Sequence, residues 1–140
     1  MELLVVIAIL GILATIGLSS FRNSQMRGRD VQRKSDLKQV AGALELYYSD
    51  YNQYPAAGSI TWGGEFTDGK TVYFRVLPTD PTSYNYLYRV DPTNQKFRLY
   101  AYLENVQDKD IVSGLTQICG SNKNCNFAIT SPNTTASGTW

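Results

Sequence analysis

Residues 2–21 read Glu2-Leu-Leu-Val-Val-Ile-Ala-Ile-Leu-Gly11-Ile-Leu-Ala-Thr-Ile-Gly17-Leu-Ser-Ser-Phe21. From Leu3 to Phe21 no residue carries a charge, and up to Leu18 the only polar side chain is Thr15. At 1.5 Å per residue a helix of this length covers about 28 Å, close to the hydrocarbon thickness of a bilayer. A secretory signal peptide would show a basic leading region and a small-residue cleavage site, and neither is present. No second apolar segment in the chain could enclose such a helix. The run is therefore expected to span a membrane or to pack against other chains. Glu2 is the only charge before Arg22. A carboxylate at the centre of a bilayer costs several kcal/mol, so such residues are paired, functional, or held at the headgroup level. On periodicity alone the headgroup level is the simpler reading of Glu2.

Outward from this run the chain is short and balanced. Its 140 residues make one ordinary domain, and 13 basic against 12 acidic residues leave a net charge of +1. That balance lacks the basic face a nucleic-acid partner requires. Histidine is absent, which removes Ser-His-Asp and Cys-His catalysis, HExxH zinc sites and imidazole proton shuttling. No glycine-rich phosphate loop occurs, and nothing points to an enzyme. Mean hydropathy is −0.25, an average that conceals how strongly the apolar residues are front-loaded.

Beyond Phe21 the helix continues with a different surface. Arg22, Arg27, Arg29, Arg33, Lys34 and Lys38 stand against Asp30 and Asp36. Leu37, Val40, Ala41, Leu44, Tyr47, Tyr48 and Tyr51 then recur at spacings of three and four, which is one helical stripe. Tyr54-Pro55 and Ala-Ala-Gly-Ser end it. The spacing predicts one helix from Leu3 to about Tyr51, about 75 Å long, whose first half finds no cover within the chain.

The remainder reads as a β-rich head. Thr71–Val76 is a short strand candidate, while Tyr84–Val90 and Lys96–Leu103 alternate with period two. In the latter, Phe97, Leu99, Ala101 and Leu103 share one face, and Arg98, Tyr100, Tyr102 and Glu104 share the other. Asp91–Gln95 is the hairpin loop between them, and Asn126–Thr130 is a further strand candidate. One apolar sheet face, covered by the Leu37–Tyr51 stripe, gives a helix on an antiparallel sheet. Cys119 and Cys125 are the only cysteines. Two cysteines without histidine cannot complete a zinc site. A disulfide closing this short loop, worth about 2–2.5 kcal/mol, is preferred over two buried thiols and implies an oxidising compartment.

The string from Glu2 to Leu18 resembles the start of a mature type IV pilin or type II secretion pseudopilin. In that family the mature chain begins with a methylated residue, commonly Phe, followed by Thr-Leu-Ile-Glu-Leu-Leu-Val-Val. Glu2 corresponds to that glutamate, so three residues and the family's leader peptide would precede Met1. The match is strong over about the first 20 residues and looser as far as Pro55.

The resemblance implies the α+β pilin fold: a long N-terminal helix, its hydrophobic half protruding, packed by its C-terminal half on a three- to four-stranded antiparallel sheet. Residues 1–25 would be the transmembrane or filament-core helix and 26–140 the head, with an amphipathic helix over 26–54 and a β-rich region over 55–140. It implies a structural subunit of a pilus-like extracellular filament, drawn from a cytoplasmic-membrane pool. Its partners would be identical subunits, the pilus assembly machinery and a prepilin peptidase. Leu3, Leu4, Val5, Val6, Ile7, Ile9, Leu10, Ile12, Leu13 and Ile16 would pack in the filament core, and Glu2 would meet the methylated amino terminus of a neighbour. By the positive-inside rule Arg22–Lys38 would be cytoplasmic; the family places it outside, with the competing charges in the leader. Gly11 and Gly17 are candidates for helix melting on assembly, or for close helix approach. Family pilins often carry proline where Ser19 stands here. C-terminal cross-linking is common in the family and agrees with a Cys119–Cys125 bond.

Asp108 and Asp110, beside Asn105 and Gln107, are similar to a calcium loop, and major pseudopilins carry calcium in a comparable region. The spacing is not that of an EF-hand, so a solvated acidic turn and no cofactor are expected. Asn133-Thr-Thr offers Asn133 as a glycosylation acceptor in a Ser/Thr-rich tail that is expected to be unmodified and flexible. Two other readings accompany the filament subunit: a major pseudopilin of a type II secretion system, and a membrane-tethered monomeric binding domain.

Overall fold

The computed structural model describes residues 2–138, and over 14–19 the backbone alone. Helix α1 runs without interruption over Glu2–Tyr51. It ends where Asn52 turns into the left-handed region at φ 53°, its N–H donating to the Tyr48 carbonyl at 2.7 Å. Asparagine is one of the few side-chain-bearing residues that tolerate this cap. The helix end is then fastened to the head. Tyr48 Oη donates to Gln95 Oε1 at 2.8 Å, Gln95 Nε2 donates to the Asn52 carbonyl at 2.9 Å, and the Tyr54 N–H donates to the Asn94 carbonyl at 2.8 Å.

The head carries five strands: β1 (Phe66–Thr67), β2 (Val72–Phe74), β3 (Leu87–Val90), β4 (Phe97–Ala101) and β5 (Phe127–Thr130). The main sheet is antiparallel in the order β3-β4-β5, with Tyr88 opposite Leu99 and Leu99 opposite Ile129. Its hairpin is held by Asp91, whose Oδ1 accepts the N–H groups of Gln95 and Lys96, each at 2.7 Å. The Thr71–Val76 candidate narrows to β2 and does not join this sheet. It pairs with β1, a strand too short to show alternation in the sequence, and Asp68 caps their turn through the N–H groups of Lys70 and Thr71.

Helix and sheet bury the expected faces against each other. Leu37, Val40, Ala43 and Leu44 of α1 meet Phe97, Leu99, Ala101 and Leu103, with Tyr54, Phe66, Leu77, Tyr86, Tyr88 and Phe127 completing the core. Position 97 to 101 departs from the alternation: every residue of β4 is buried. The second face was expected to be polar and solvated, yet it lies beneath the chain's C-terminal segment. Tyr100, Leu115, Cys119 and Cys125 form a second small core there. Polar residues serve on this face because they bond the covering backbone. Arg98 Nη1 donates to the Gly138 carbonyl at 2.8 Å and Tyr100 Oη to the Ala136 carbonyl at 3.1 Å. The Ser131 N–H donates to the Phe97 carbonyl at 3.1 Å. The tail expected to be flexible is thus strapped along the sheet over 131–138, since buried backbone groups find partners in it.

Candidate assembly interface

Two features of α1 define the candidate interface: what its first half exposes and how its middle is gripped. Leu3, Leu4, Val5, Val6, Ile7, Ile9, Leu10, Ile12 and Leu13 are all exposed, Leu3 at 76%. Successive helix residues are 100° apart, so these positions circle the axis rather than form a stripe. Apolar surface of this extent on every side marks a contact surface for lipid or protein. Among the described residues no helix is long and apolar enough to cross a membrane; the described side chains of the run, Leu3–Leu13, cover about 16 Å. Glu2 is exposed in the first described turn, where a carboxylate complements the helix dipole. Gly11 sits in unbroken helix with nothing within 4 Å of where a Cβ would stand. Ile16 and Gly17 fall outside the residues whose surroundings are described.

The grip lies at Arg29–Lys34, where the helix leaves the head. Arg33 is fully buried, and each of its five N–H groups has an acceptor. Nε and Nη2 fork onto Asp80 at 2.7 and 3.0 Å, and Nη2 also reaches Thr82 Oγ1 at 2.9 Å. Nη1 donates to Asp30 Oδ1 and Glu104 Oε1, each at 2.8 Å. Asp30 in turn accepts the backbone N–H groups of Glu104 and Asn105 at 2.9 and 2.8 Å. Arg29 forks onto Glu104 from outside, at 2.8 and 2.5 Å. Tyr84 presents its ring to the Arg33 guanidinium, 5.5 Å from centroid to Cζ.

This cluster joins the helix to two segments remote in sequence, around residues 80–82 and 104–105. Burial alone would drive Arg33 towards neutrality, but its bonds to Asp80 and Glu104 outweigh that and hold the guanidinium charged. Arg29 holds the Glu104 carboxyl below the usual carboxylate range, against a smaller opposing effect of burial. Burial pushes the Asp80 carboxyl up, and the bonds from Arg33 and Thr82 bring it net below its ordinary value. Such a forked, fully satisfied guanidinium fixes geometry in a way a lysine could not.

At the next residue, Lys34 Nζ donates to Asp108 Oδ1 at 2.6 Å and Asp110 Oδ2 at 2.7 Å, 5.8 Å from the Phe127 ring centroid. The two carboxylates considered for calcium therefore converge on a tethered ammonium. Calcium takes six to eight oxygens, and among the described residues no group of three carboxylate, cysteine or histidine side chains is placed to hold a metal. Cys119 and Cys125 are joined by a disulfide with Cα atoms 5.1 Å apart. The loop turns through Gly120 at φ +95°, Ser121 and Asn122. A Cβ at Gly120 would stand 3.2 Å from the Ser83 carbonyl oxygen. The loop is fastened there by the Asn85 N–H, donating to the Cys119 carbonyl at 2.7 Å. Asn133 is exposed, its carboxamide donating to the Gln95 carbonyl at 3.0 Å and accepting from Ser131 Oγ at 2.8 Å.

Glu2 and the aliphatic run lie on α1, whereas Cys119, Cys125 and Asn133 belong to the loops before and after β5. The ionic cluster was not among the residues singled out from sequence. One signal for it existed: Arg33 falls in phase with Leu37, Val40 and Leu44, so a charge sat on the stripe that had to be buried.

No family model and no solved structure matches the chain significantly. Among curated proteins, the "Type II secretion system core protein G" of Pseudomonas aeruginosa is 30% identical, over 71% of this chain and 77% of its own length. With the long helix, the antiparallel sheet and the N-terminal signature already described, this similarity identifies the group: the chain belongs to the type IV pilin and type II secretion pseudopilin family.

Proposed function

We propose that this chain is a structural subunit of a type IV pilus-like extracellular filament, held in the cytoplasmic membrane through residues 3–21 before it assembles. The carrying observation is the exposure of nine aliphatic side chains around Leu3–Leu13. Covering such side chains is worth about 1.5–3 kcal/mol each, so roughly 15–25 kcal/mol opposes leaving this helix in water. Transfer from lipid to a bundle of like helices gains little hydrophobic energy, so packing and charge matching drive assembly. Glu2 serves in that matching. A buried pair stabilises only modestly but penalises every register that leaves the carboxylate unpaired. The head, locked to α1 through Arg33, carries the filament's outer surface, and its disulfide suits an oxidising exterior.

A second reading has its own support in the relative named as a secretion-system core protein: a major pseudopilin forming a short periplasmic filament. Electron microscopy of producing cells, with mass spectrometry of the subunit's N-terminus, tests both. Long surface fibres built from this chain support the pilus, and short fibres confined to the periplasm support the pseudopilus. Monomers in detergent with no fibres anywhere would contradict both and favour a tethered binding domain. Glu2→Ala should abolish fibres while membrane levels of the protein stay unchanged; normal fibres from that variant would contradict the docking role of Glu2.

A further inference from the structure

We propose that a cleft in the head, between the turn at 62–64 and the segment 79–86, binds one pyranose ring of a neutral sugar. The proposal is independent of the filament reading. The cleft has a volume of about 260 Å³, below the roughly 300 Å³ at which pockets for drug-sized ligands begin, so it has room for one ring. Trp62, Thr79, Tyr84 and Asn85 line it together with Asp80 and Tyr86. Trp62 and Tyr84 are half-buried, whereas Thr79 and Asn85 are exposed.

The walls are fixed by bonds made elsewhere in the head. The Gly63 N–H donates to the Leu77 carbonyl at 2.9 Å and the Leu77 N–H to the Gly64 carbonyl at 2.7 Å, which holds the Trp62 turn against the chain leading to Thr79. Gly63 permits that approach: its φ is +80°, and a Cβ there would stand 3.3 Å from Thr79 Cγ2. The Trp62 ring meets the Tyr86 ring edge-on, with centroids 5.4 Å apart. Tyr86 Oη is itself held, donating to Asp36 Oδ2 at 2.8 Å. The Asn85 N–H is tied to Cys119 of the disulfide, and Asp80 is tied to Arg33. A pocket formed in advance loses little ordering entropy on binding.

The lining keeps polar groups that the fold does not use. Trp62 Nε1, the Thr79 and Tyr84 hydroxyls and the Asn85 carboxamide have no hydrogen-bond partner among the described residues. They supply both donors and acceptors beside an indole ring. A pyranose matches that set: its C–H face packs on an aromatic ring while its hydroxyls give and accept hydrogen bonds at the rim. Charge points the same way. The carboxylate of the lining, Asp80, is neutralised by Arg33 at 2.7 Å, and the Arg33 guanidinium lies 5.5 Å from the Tyr84 ring centroid. An anion would be repelled by Asp80, and a cation would compete with Arg33 for the Tyr84 ring. A neutral, hydroxyl-rich ligand meets neither penalty.

Nuclear magnetic resonance of the full chain tests the proposal, in a polyoxyethylene detergent whose headgroup is neither sugar nor ammonium. The probes are glucose, galactose, mannose and N-acetylglucosamine, each to about 100 mM, because a ligand of about 12–15 non-hydrogen atoms binds in the millimolar range. At least one should shift the Trp62 indole N–H and Asn85 carboxamide signals saturably, the indole signal being assigned by its loss in Trp62→Phe. Thr79→Val and Asn85→Ala change exposed side chains, and each should weaken the response about fivefold with the head's melting temperature unchanged. No saturable shift with any of the four sugars would overturn the proposal. So would a response to choline in place of the sugars, which marks a cation site, or unchanged affinity in both variants.

Discussion

Replacing Arg33 by alanine removes the cation at the centre of the buried ionic cluster. The side chain makes five hydrogen bonds to Asp30, Asp80, Glu104 and Thr82. Its loss falls unequally on these partners. Glu104 keeps Arg29, and Asp30 keeps two backbone N–H donors. Asp80, whose side chain is 0% exposed, keeps only the N–H and hydroxyl of Thr82. A buried carboxylate stripped of its cation costs about 3–5 kcal/mol, against at most about 1 kcal/mol for an exposed pair. For a chain of this size that lowers the melting temperature by about 12–20 °C.

The assay is thermal unfolding of the detergent-held full chain, followed by near-ultraviolet circular dichroism of the head's tyrosines. Arg33→Lys should recover part of the loss, because an ammonium replaces the charge but not the fork. Adding Asp80→Ala to Arg33→Ala should recover more, by removing the orphaned carboxylate. A loss below about 1 kcal/mol for Arg33→Ala would refute the reasoning, since it is the value of a solvated pair.

Acid should destabilise the head. Glu104, Asp80, Asp108 and Asp91 are all held below the usual carboxylate range. Their contribution is therefore complete above their ordinary values and lost as pH falls through their lowered ones. Asp36, pushed up by burial against its bond from Tyr86, works in the opposite sense and offsets part of this. The melting temperature should hold from about pH 7 to 5 and fall below about pH 4; a rise on acidification would contradict the assignment. Lys34→Gln should lower the melting temperature and loosen 104–110 in hydrogen exchange, while the unsubstituted chain melts alike in calcium and in chelator. Cys119→Ser together with Cys125→Ser should cost about 2–2.5 kcal/mol, read from urea unfolding. Gly120→Ala, strained at φ +95° and crowded by Ser83, should cost about 1–3 kcal/mol in the same measurement.

What could be read from the sequence was whatever repeats at short range. The apolar run, the Leu37–Tyr51 stripe and the alternation in β3 and β4 are local patterns, and each became the expected element. Pairings across long stretches of chain carry no such signature. Arg33 meets Asp80 and Glu104 across 47 and 71 positions, and in the sequence it is only one of six basic residues from Arg22 to Lys38. Tyr100 and Arg98 looked outward-facing because alternation says which residues share a face, not whether another segment returns to cover it. Phe66–Thr67 is too brief for any period to be visible, so β1 was missed and β2 was counted with the main sheet instead of with its true partner.

Electron cryo-microscopy of fibres formed by the full chain tests the central claim most directly. The account predicts a central bundle of α1 helices in which Leu3–Leu13 of each subunit is enclosed by neighbouring copies, with the β-rich heads outside. Fibres held by head-to-head contacts, with Leu3–Leu13 outside the bundle, would contradict it.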